Sequence, residues 1–147
     1  MFLSKPQIPF WSRLALHALW LHGVWEAVQC LLFTDKNGVP FTSASFFMIA
    51  ATGADVVVIL ALVAFALRFA RGRSNGITLW TLAACGTIAA MLIEILALAF
   101  GWWRYSPAMP TVQFAGRSID LLPVGQMMVL PCAALALARL PLVPKSN

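Results

Sequence analysis

Apolar residues run along the chain in four stretches that are long enough to cross a bilayer. They cover residues 13–33, 44–67, 77–101 and 122–140. A membrane-spanning helix needs about 20 predominantly apolar residues, because each residue adds about 1.5 Å and the hydrocarbon layer is about 30 Å thick. The pattern therefore predicts an all-α fold, an integral membrane four-helix bundle, with residues 1–147 forming a single transmembrane domain.

The composition agrees with this prediction. Hydrophobic residues make up 61% of the 147 residues and charged residues 10%, whereas soluble domains carry about 25% charged residues. The net charge is +5, but the basic residues stand in short clusters between the apolar stretches and form no nucleic-acid-binding motif. We therefore expect partners within the membrane, namely lipids, a hydrophobic small molecule and either a second copy or another membrane subunit, and no nucleic acid.

Lys and Arg are divided unevenly between the two sides of the predicted bundle. One side holds seven of the ten and the other holds three. The seven are Lys5, Arg13, Arg68, Arg71, Arg73, Arg139 and Lys145, and the three are Lys36, Arg104 and Arg117. Because cytoplasmic loops carry an excess of basic residues, this count predicts that both termini are cytoplasmic.

Three acidic residues, Glu26, Asp55 and Glu94, fall inside the predicted spans. An ionisable group inside a membrane costs roughly 2.5–3.5 kcal/mol on insertion scales, so such groups usually face the interior of a bundle and often mark function. Helical rise places Glu26 and Glu94 roughly 10 Å below the outer end, and Asp55 roughly 16 Å below it. Gln126 on the fourth helix lies roughly 6 Å down. The shared depth predicts one pocket.

Helical spacing adds further residues to the predicted pocket. His22, Trp25, Glu26 and Gln29 form one stripe with i, i+3, i+4, i+7 spacing. The candidate catalytic residues are His22, Glu26, Asp55 and Glu94, and the candidate ligand-binding residues are Trp25, Gln29, Thr52, Met91, Trp102, Tyr105 and Gln126. For each of them a structural role is the alternative: hydrogen bonding between helices for the polar residues, and an interfacial belt for Trp102 and Tyr105.

A metal or haem site is a further alternative for the same histidine and acids. Di-iron bundles combine Glu with a Glu-x-x-His motif, whereas here His22 precedes Glu26 by four residues. Zinc sites draw on more His or Cys, and His17 lies five residues before His22, so the two do not share a helix face. We therefore expect no metal ion and no other cofactor.

Three motifs carry a resemblance to known proteins. The string His22-Gly23-Val24-Trp25-Glu26, the spacing Trp103-x-Tyr105-x-x-x-Met109-Pro110 and the run from Gln126 to Pro131 resemble a group of small bacterial membrane proteins. That resemblance covers most of the chain and implies the four-helix fold and a multi-pass location in the bacterial inner (cytoplasmic) membrane. It implies no activity.

A more remote resemblance is to the emopamil-binding (EXPERA) superfamily, helical bundles that include sterol isomerases and sterol- or drug-binding relatives. His22 and Glu26 match the family's His and Glu one turn apart, and Asp55 matches a further acid on the next helix. Gln126 stands where the family has Asn, the fourth helix has no Trp, and Glu94 is a third-helix acid of less certain correspondence. The resemblance implies binding of a sterol-like or isoprenoid-like lipid.

Moving a double bond in such a lipid requires a proton added at one carbon and removed from another. Glu26, poised by His22, is the expected donor, while Asp55 and Glu94 would accept the proton or stabilise the carbocation, and Trp25 would line the pocket. An isomerase and a cyclase need the same groups, so the reaction stays open. Two other classes also stay open: a non-catalytic subunit of a membrane complex, and a proton-coupled transporter.

Overall fold

The computed structural model describes residues 8–34, 46–114 and 116–140, and it contains four α-helices in these ranges. The helices are α1 (Phe10–Gln29), α2 (Phe46–Phe69), α3 (Asn75–Phe100) and α4 (Leu121–Arg139). Each corresponds to one predicted apolar stretch, so the four predicted helices are confirmed. Lys5, Lys36 and Lys145 of the charge count, and the first two residues of the second predicted stretch, lie outside the described residues.

Three of these helices are long and apolar enough to cross a membrane. They are the segments Met48–Phe69, Asn75–Phe100 and Leu121–Arg139. The helix α1 has 20 residues but is not among the three. Its sequence contains Arg13, His17, His22 and Glu26, which lower its mean hydropathy.

The helices form a ring in which each one packs on its neighbours, α1 on α2, α2 on α3, α3 on α4 and α4 on α1. At one end of the bundle, Arg13 Nη1 donates to the carbonyl of Leu140 at 2.8 Å, which joins the start of α1 to the end of α4. At the same end Ser74 caps α3, its hydroxyl accepting from the backbone N–H of Ile77. An apolar core occupies this half of the bundle. Its members include Leu14, Ala18, Ile59, Val63, Leu82, Leu135 and Ala138.

Two short antiparallel strand pairs lie at the opposite end, which we call the hairpin end. The strand β1 (Phe33–Thr34) pairs with β2 (Arg104–Tyr105), and β3 (Thr111–Phe114) pairs with β4 (Arg117–Asp120). The first pair joins the end of α1 to the segment after α3. The all-α prediction left out these strands, since residues 102–121 read as a loop in the sequence. They position the aromatic and acidic residues of that loop over the bundle.

The helices α3 and α4 approach one another closely at Gly86. A Cβ atom built on Gly86 would lie 2.0 Å from the backbone oxygen of Met127. Only glycine, which has no Cβ, allows two backbones to come this near. The pair α3–α4 is thus the most tightly joined part of the fold, and it sets the position of Gln126, the residue before Met127.

Candidate functional site

Polar side chains from three helices meet in the hairpin-end half of the bundle. His22 on α1 is fully buried, and its Nδ1 lies 3.0 Å from Oδ2 of Asp55 on α2. The same Nδ1 lies 2.8 Å from Nε2 of Gln126 on α4. No sequence pattern predicts a pairing of His22 with Asp55, so this contact between helices is a finding of the structure.

Gln126 is the centre of this network. Its Nε2 lies 3.0 Å from Oε1 of Glu26 and 3.1 Å from Oδ2 of Asp55, and its Oε1 accepts from Nε2 of Gln29 at 3.1 Å. Gln29 Nε2 also donates to Glu26 Oε1 at 2.9 Å, and Trp25 Nε1 donates to Gln29 Oε1 at 2.6 Å. One amide therefore holds together two carboxyl groups that come from different helices.

The distribution of hydrogens in the network follows from its donors and acceptors. An amide NH₂ has two hydrogens, and Gln126 Nε2 has three neighbours: His22, Glu26 and Asp55. If His22 Nδ1–H donates to Asp55, both amide hydrogens are left for the two carboxyl groups. His22 Nε2 has no hydrogen-bond partner among the described residues.

A cavity of about 80 Å³ lies beside this network. Three carboxyl groups line it, those of Glu26, Asp55 and Glu94, together with the amides of Gln29 and Gln126. The remaining lining is mostly apolar and includes Phe33, Met48, Ala51, Ala90, Ile93, Trp103, Pro123 and Met127. Acids from three helices thus share one interior space. The side chain of Asp55 keeps 21% of its surface exposed, so the cavity is not sealed on the α2 side.

A second polar cluster joins this cavity to the hairpin end. Glu94, which is 2% exposed, accepts a hydrogen bond from the hydroxyl of Tyr105. That hydroxyl also accepts from the backbone N–H of Asp120 at 3.2 Å. Asp120 caps α4, because its Oδ1 accepts from the backbone N–H of Leu122 at 2.8 Å. The cluster therefore ties the third helix, the loop and the start of the fourth helix together.

Burial is the main cause of the raised pKa of Asp120 and of Tyr105, the two residues of this cluster that lie outside the helices. Asp120 is fully buried, and its Oδ2 has no hydrogen-bond partner among the described residues. Loss of hydration raises the pKa of Asp120 to about 6, although backbone hydrogen bonds oppose the shift. Burial also raises the pKa of Tyr105, and its hydrogen bond to Glu94 adds to the effect. Tyr105 therefore remains a proton donor to Glu94 at all ordinary pH values.

The structure brings most of the sequence-predicted site residues together. One hydrogen-bond network contains six of them: His22, Trp25, Glu26, Gln29, Asp55 and Gln126. Glu94 lines the same cavity as Glu26 and Asp55, and Tyr105 donates a hydrogen bond to it. Thr52 lies next to this set: its hydroxyl donates to the backbone of Met48 at 3.0 Å, and it lines a neighbouring groove.

Five of the seven predicted ligand-binding residues do not line the cavity. Trp25, Thr52 and Tyr105 hydrogen-bond to residues that line it, whereas Met91 and Trp102 lie elsewhere. Met91 does not line the cavity, where Ala90, Ile93 and Glu94 represent α3. Trp102 is 55% exposed and stacks on Phe100 at 5.7 Å between ring centroids, and neither ring lines the cavity. A ligand-binding role for Met91 or Trp102 therefore has no support from their positions.

Sequence reasoning missed Asp120 and several residues that line the cavity, among them Trp103 and Met48. Asp120 stands two residues before the fourth apolar stretch, and an acidic residue near that place is a typical N-cap, a signal that was available. Trp103 lines the cavity and contacts the ring of Phe33 edge-on at 5.9 Å. No sequence signal separates Trp103 from the adjacent Trp102, because neighbouring loop residues point in directions that depend on the strand pairing.

Comparison with known proteins identified no relatives. No family model, no curated protein and no solved structure matches this chain.

Proposed function

We propose that this protein crosses a membrane four times and binds an isoprenoid-like or sterol-like lipid in the cavity between its helices, on which it acts by acid–base chemistry. Three apolar helices of membrane-spanning length support the membrane location. The charge count favours cytoplasmic termini, and the resemblance to small bacterial membrane proteins favours the bacterial inner membrane.

The burial of polar side chains on α1 supports its inclusion as the fourth membrane-crossing helix. Its polar residues His22, Glu26 and Gln29 are buried against the other helices, so they would not meet lipid. Its exposed residues include Trp20 and Val28, at 57% and 76% exposure. A helix that hides its polar groups in a bundle can cross a bilayer although its mean hydropathy is lower.

The observation that carries the proposal is the arrangement of Glu26, Asp55 and Glu94 around one cavity with apolar walls. Placing three carboxyl groups in an apolar interior opposes stability unless they are neutralised or hydrogen-bonded. Here the partners of all three come from this chain, namely His22, Gln126 and Tyr105. The acids therefore need no basic group from another subunit, and functional sites are where such arrangements are concentrated.

The geometry supports a proton transfer between two carbons of an alkene. Glu26 in its protonated form would donate to one carbon, and a carboxylate of Asp55 or Glu94 would remove a proton from a neighbouring carbon, so that the double bond moves and no proton is gained or lost overall. The remaining carboxylate and the ring of Trp103 would stabilise the carbocation between the two steps. His22 and Gln126 would act as positioning residues, because both hold the carboxyl groups in place.

The size of the cavity limits which part of a ligand it can hold. Pockets for drug-sized ligands measure about 300–1,000 Å³, and this cavity measures about 80 Å³. The cavity therefore fits the reacting end of a lipid, while the rest of the molecule would extend out of it.

The test is binding and turnover by purified protein in detergent. Wild type and the variants Glu26→Gln, Asp55→Asn and Glu94→Gln are incubated with a panel of unsaturated isoprenoid alcohols and sterols, and binding and double-bond position are measured. We expect Glu26→Gln to remain folded and to lose turnover, while Gly125→Ala, on α4 outside the cavity, retains it. Equal binding and turnover by wild type and all three acid variants would disprove the proposal.

One observation favours a second function, a proton pathway. The hydroxyl of Tyr105 donates to Glu94 at the cavity and accepts from the backbone N–H of Asp120, so a second buried acid lies near Glu94 at the hairpin end. Chains of buried acids occur in proton-coupled transporters. The test is proton flux in liposomes under a pH gradient. Flux that is lost in Tyr105→Phe would support the pathway, and wild-type liposomes that stay silent would exclude it.

A further inference from the structure

A groove of about 390 Å³ lies between α1 and α2, next to the acid cavity. Its lining residues come from three successive turns of α1 and from two adjacent turns of α2. The lining residues are Leu19, Gly23, Glu26, Ala27, Met48, Ile49, Thr52 and Gly53. Leu19 and Ile49 are 50% and 62% exposed, so the groove opens on the outer surface of the bundle, and we call it the α1–α2 groove.

Two glycines keep this groove open. A Cβ atom built on Gly23 or on Gly53 would meet no atom of the described residues within 4 Å. Glycine usually occurs in helix contacts because it lets backbones approach, but at these two positions no backbone of residues 8–34, 46–114 or 116–140 approaches. The missing side chains leave space on the surface of the bundle instead.

The groove and the cavity share two residues, Glu26 and Met48. Met48 is 3% exposed, so it stands between the two spaces and not on the surface. A methionine side chain is unbranched and has three rotatable bonds, which lets it change shape at little energetic cost. A molecule that passes from the groove to the cavity would have to displace this side chain.

We propose that the α1–α2 groove is the entrance from the bilayer to the acid cavity and that it holds the hydrocarbon chain of an amphiphilic ligand whose polar or reacting end lies at Glu26, with Met48 as the gate. The ligand's identity as an isoprenoid-like lipid rests on the proposed function above. The groove lies within the size range of about 300–1,000 Å³ that drug-sized ligands occupy, while the cavity alone does not. Glu26 and Met48 line both spaces, which is the reason for placing one molecule in both.

In a bilayer the groove would determine which hydrocarbon chains can enter more than how tightly they bind. A hydrocarbon chain that moves from lipid into an apolar groove leaves one apolar environment for another, so it gains little from the hydrophobic effect. The shape of the groove therefore decides which ligand enters, and a side chain that fills the groove would block the ligand's hydrocarbon chain sterically. A Cβ atom at Gly53 meets none of the described residues within 4 Å, so the larger side chain of leucine at this position would extend into the groove.

Access can be measured with dicyclohexylcarbodiimide, an apolar reagent that dissolves in lipid. The O–H of a carboxylic acid adds across the carbodiimide, and the acyl group then moves to nitrogen, so the whole reagent stays attached as an N-acylurea. Protein in lipid nanodiscs is treated with the reagent, and mass spectrometry of peptides follows the labelling rate of Glu26. The proteins compared are wild type, Gly53→Leu, Met48→Ala and the control Gly125→Leu, whose added Cβ also meets no atom within 4 Å.

We expect Glu26 to be labelled in wild type and at the same rate in Gly125→Leu. Labelling should be about tenfold slower in Gly53→Leu, which corresponds to roughly 1.4 kcal/mol of added barrier. It should be faster in Met48→Ala, which removes most of the side chain between the groove and the cavity. Equal rates in Gly53→Leu and wild type, or faster labelling by a water-soluble carbodiimide than by the apolar one, would overturn the proposal. Unfolding midpoints of all four proteins establish that they remain folded.

The identity of the ligand is tested separately by repeating the labelling with farnesol in the nanodisc. Protection of Glu26 by farnesol supports both the entrance and the isoprenoid ligand. Groove-dependent labelling without protection by any member of the isoprenoid and sterol panel supports the entrance and counts against the lipid class of the proposed function.

Discussion

The two sides of the bundle use glycine for opposite purposes. Between α3 and α4, Gly86 lies against the backbone of Met127, where a Cβ atom would approach the Met127 oxygen to 2.0 Å. Between α1 and α2, Gly23 and Gly53 face open space. The first side is a close-packed scaffold, and the second side is open next to the acids. The residue type is the same, and only the position of the neighbouring backbone distinguishes a contact from a gap.

The polar residues are divided in the same way. Glu94 belongs to the close-packed side and is held by Tyr105 of the loop that precedes α4. Glu26 and Asp55 belong to the open side, and they are held by the amide of Gln126, which reaches them from the scaffold. A site with one rigid wall and one open wall can position reacting groups while a ligand enters. The predictions below test this difference.

The largest expected effect is that of Gly86→Ala. The added methyl group would overlap the Met127 backbone, so α3 and α4 must separate, at a cost of about 3 kcal/mol in the free energy of unfolding. Separation also moves Gln126 away from Glu26 and Asp55. Unfolding by denaturant in detergent micelles measures the loss, with Gly125→Ala on α4 as the matched control. A Gly86→Ala protein as stable as this control would show that the two helices are not in close contact.

An intermediate effect is expected from the charge of Asp120. Because the pKa of buried Asp120 is raised from 3.8 to about 6, the folded state binds its proton more tightly than the unfolded state does. The stabilisation from this group is therefore largely present below pH 4 and is lost as the pH rises through about 6, by about 2 kcal/mol between pH 4 and pH 7 and about 3 kcal/mol in total. Asp120→Asn keeps the helix cap and removes the titration.

The measurement is the unfolding free energy of wild type and Asp120→Asn between pH 4 and pH 7. We expect the difference between the two proteins to change with pH over that range and to favour Asp120→Asn at pH 7. A difference that stays constant across the range would mean that Asp120 is hydrated or paired with a basic group in the folded protein.

The smallest effect on stability is expected at the open side. Gly23→Ala and Gly53→Ala place a methyl group in empty space, so the free energy of unfolding should stay the same or rise by up to about 1 kcal/mol, because alanine favours the helix. The same unfolding experiment measures both. A loss as large as that of Gly86→Ala would show that a backbone or another element covers the groove, and the contrast between the two sides would fail.

The helices could be predicted from the sequence because long apolar runs determine them. All four lie within a few residues of the predicted bounds, and Gly101 ends α3 in the left-handed conformation with φ 67°. The strand pairs could not be predicted, since each strand is only two to four residues long. Pairings such as that of Phe33 with Tyr105 join segments far apart in the chain, and local patterns do not contain such contacts.

The site was predictable where depth and helical face were sufficient. Counting residues from the helix ends placed Glu26, Asp55 and Glu94 in the same half of the predicted bundle, and the structure places all three at one cavity. The contact of His22 with Asp55 depends on how α1 and α2 are rotated relative to one another, and periodicity alone does not give that rotation. The α1–α2 groove was not predictable either, because Gly53 reads as an ordinary helix-contact residue.

A double-mutant cycle on Glu26→Gln and Asp55→Asn tests most directly whether carboxyl groups of separate helices share one site. The unfolding free energies of wild type, both single variants and the double variant give the coupling between the two side chains. Because both groups contact Gln126 Nε2, at 3.0 and 3.1 Å, we predict a coupling of about 0.5–3 kcal/mol of either sign. Pairing Glu26→Gln with the exposed Arg68→Gln should give additive effects. If Glu26 and Asp55 are also additive, to within about 0.5 kcal/mol, the shared acidic site is contradicted.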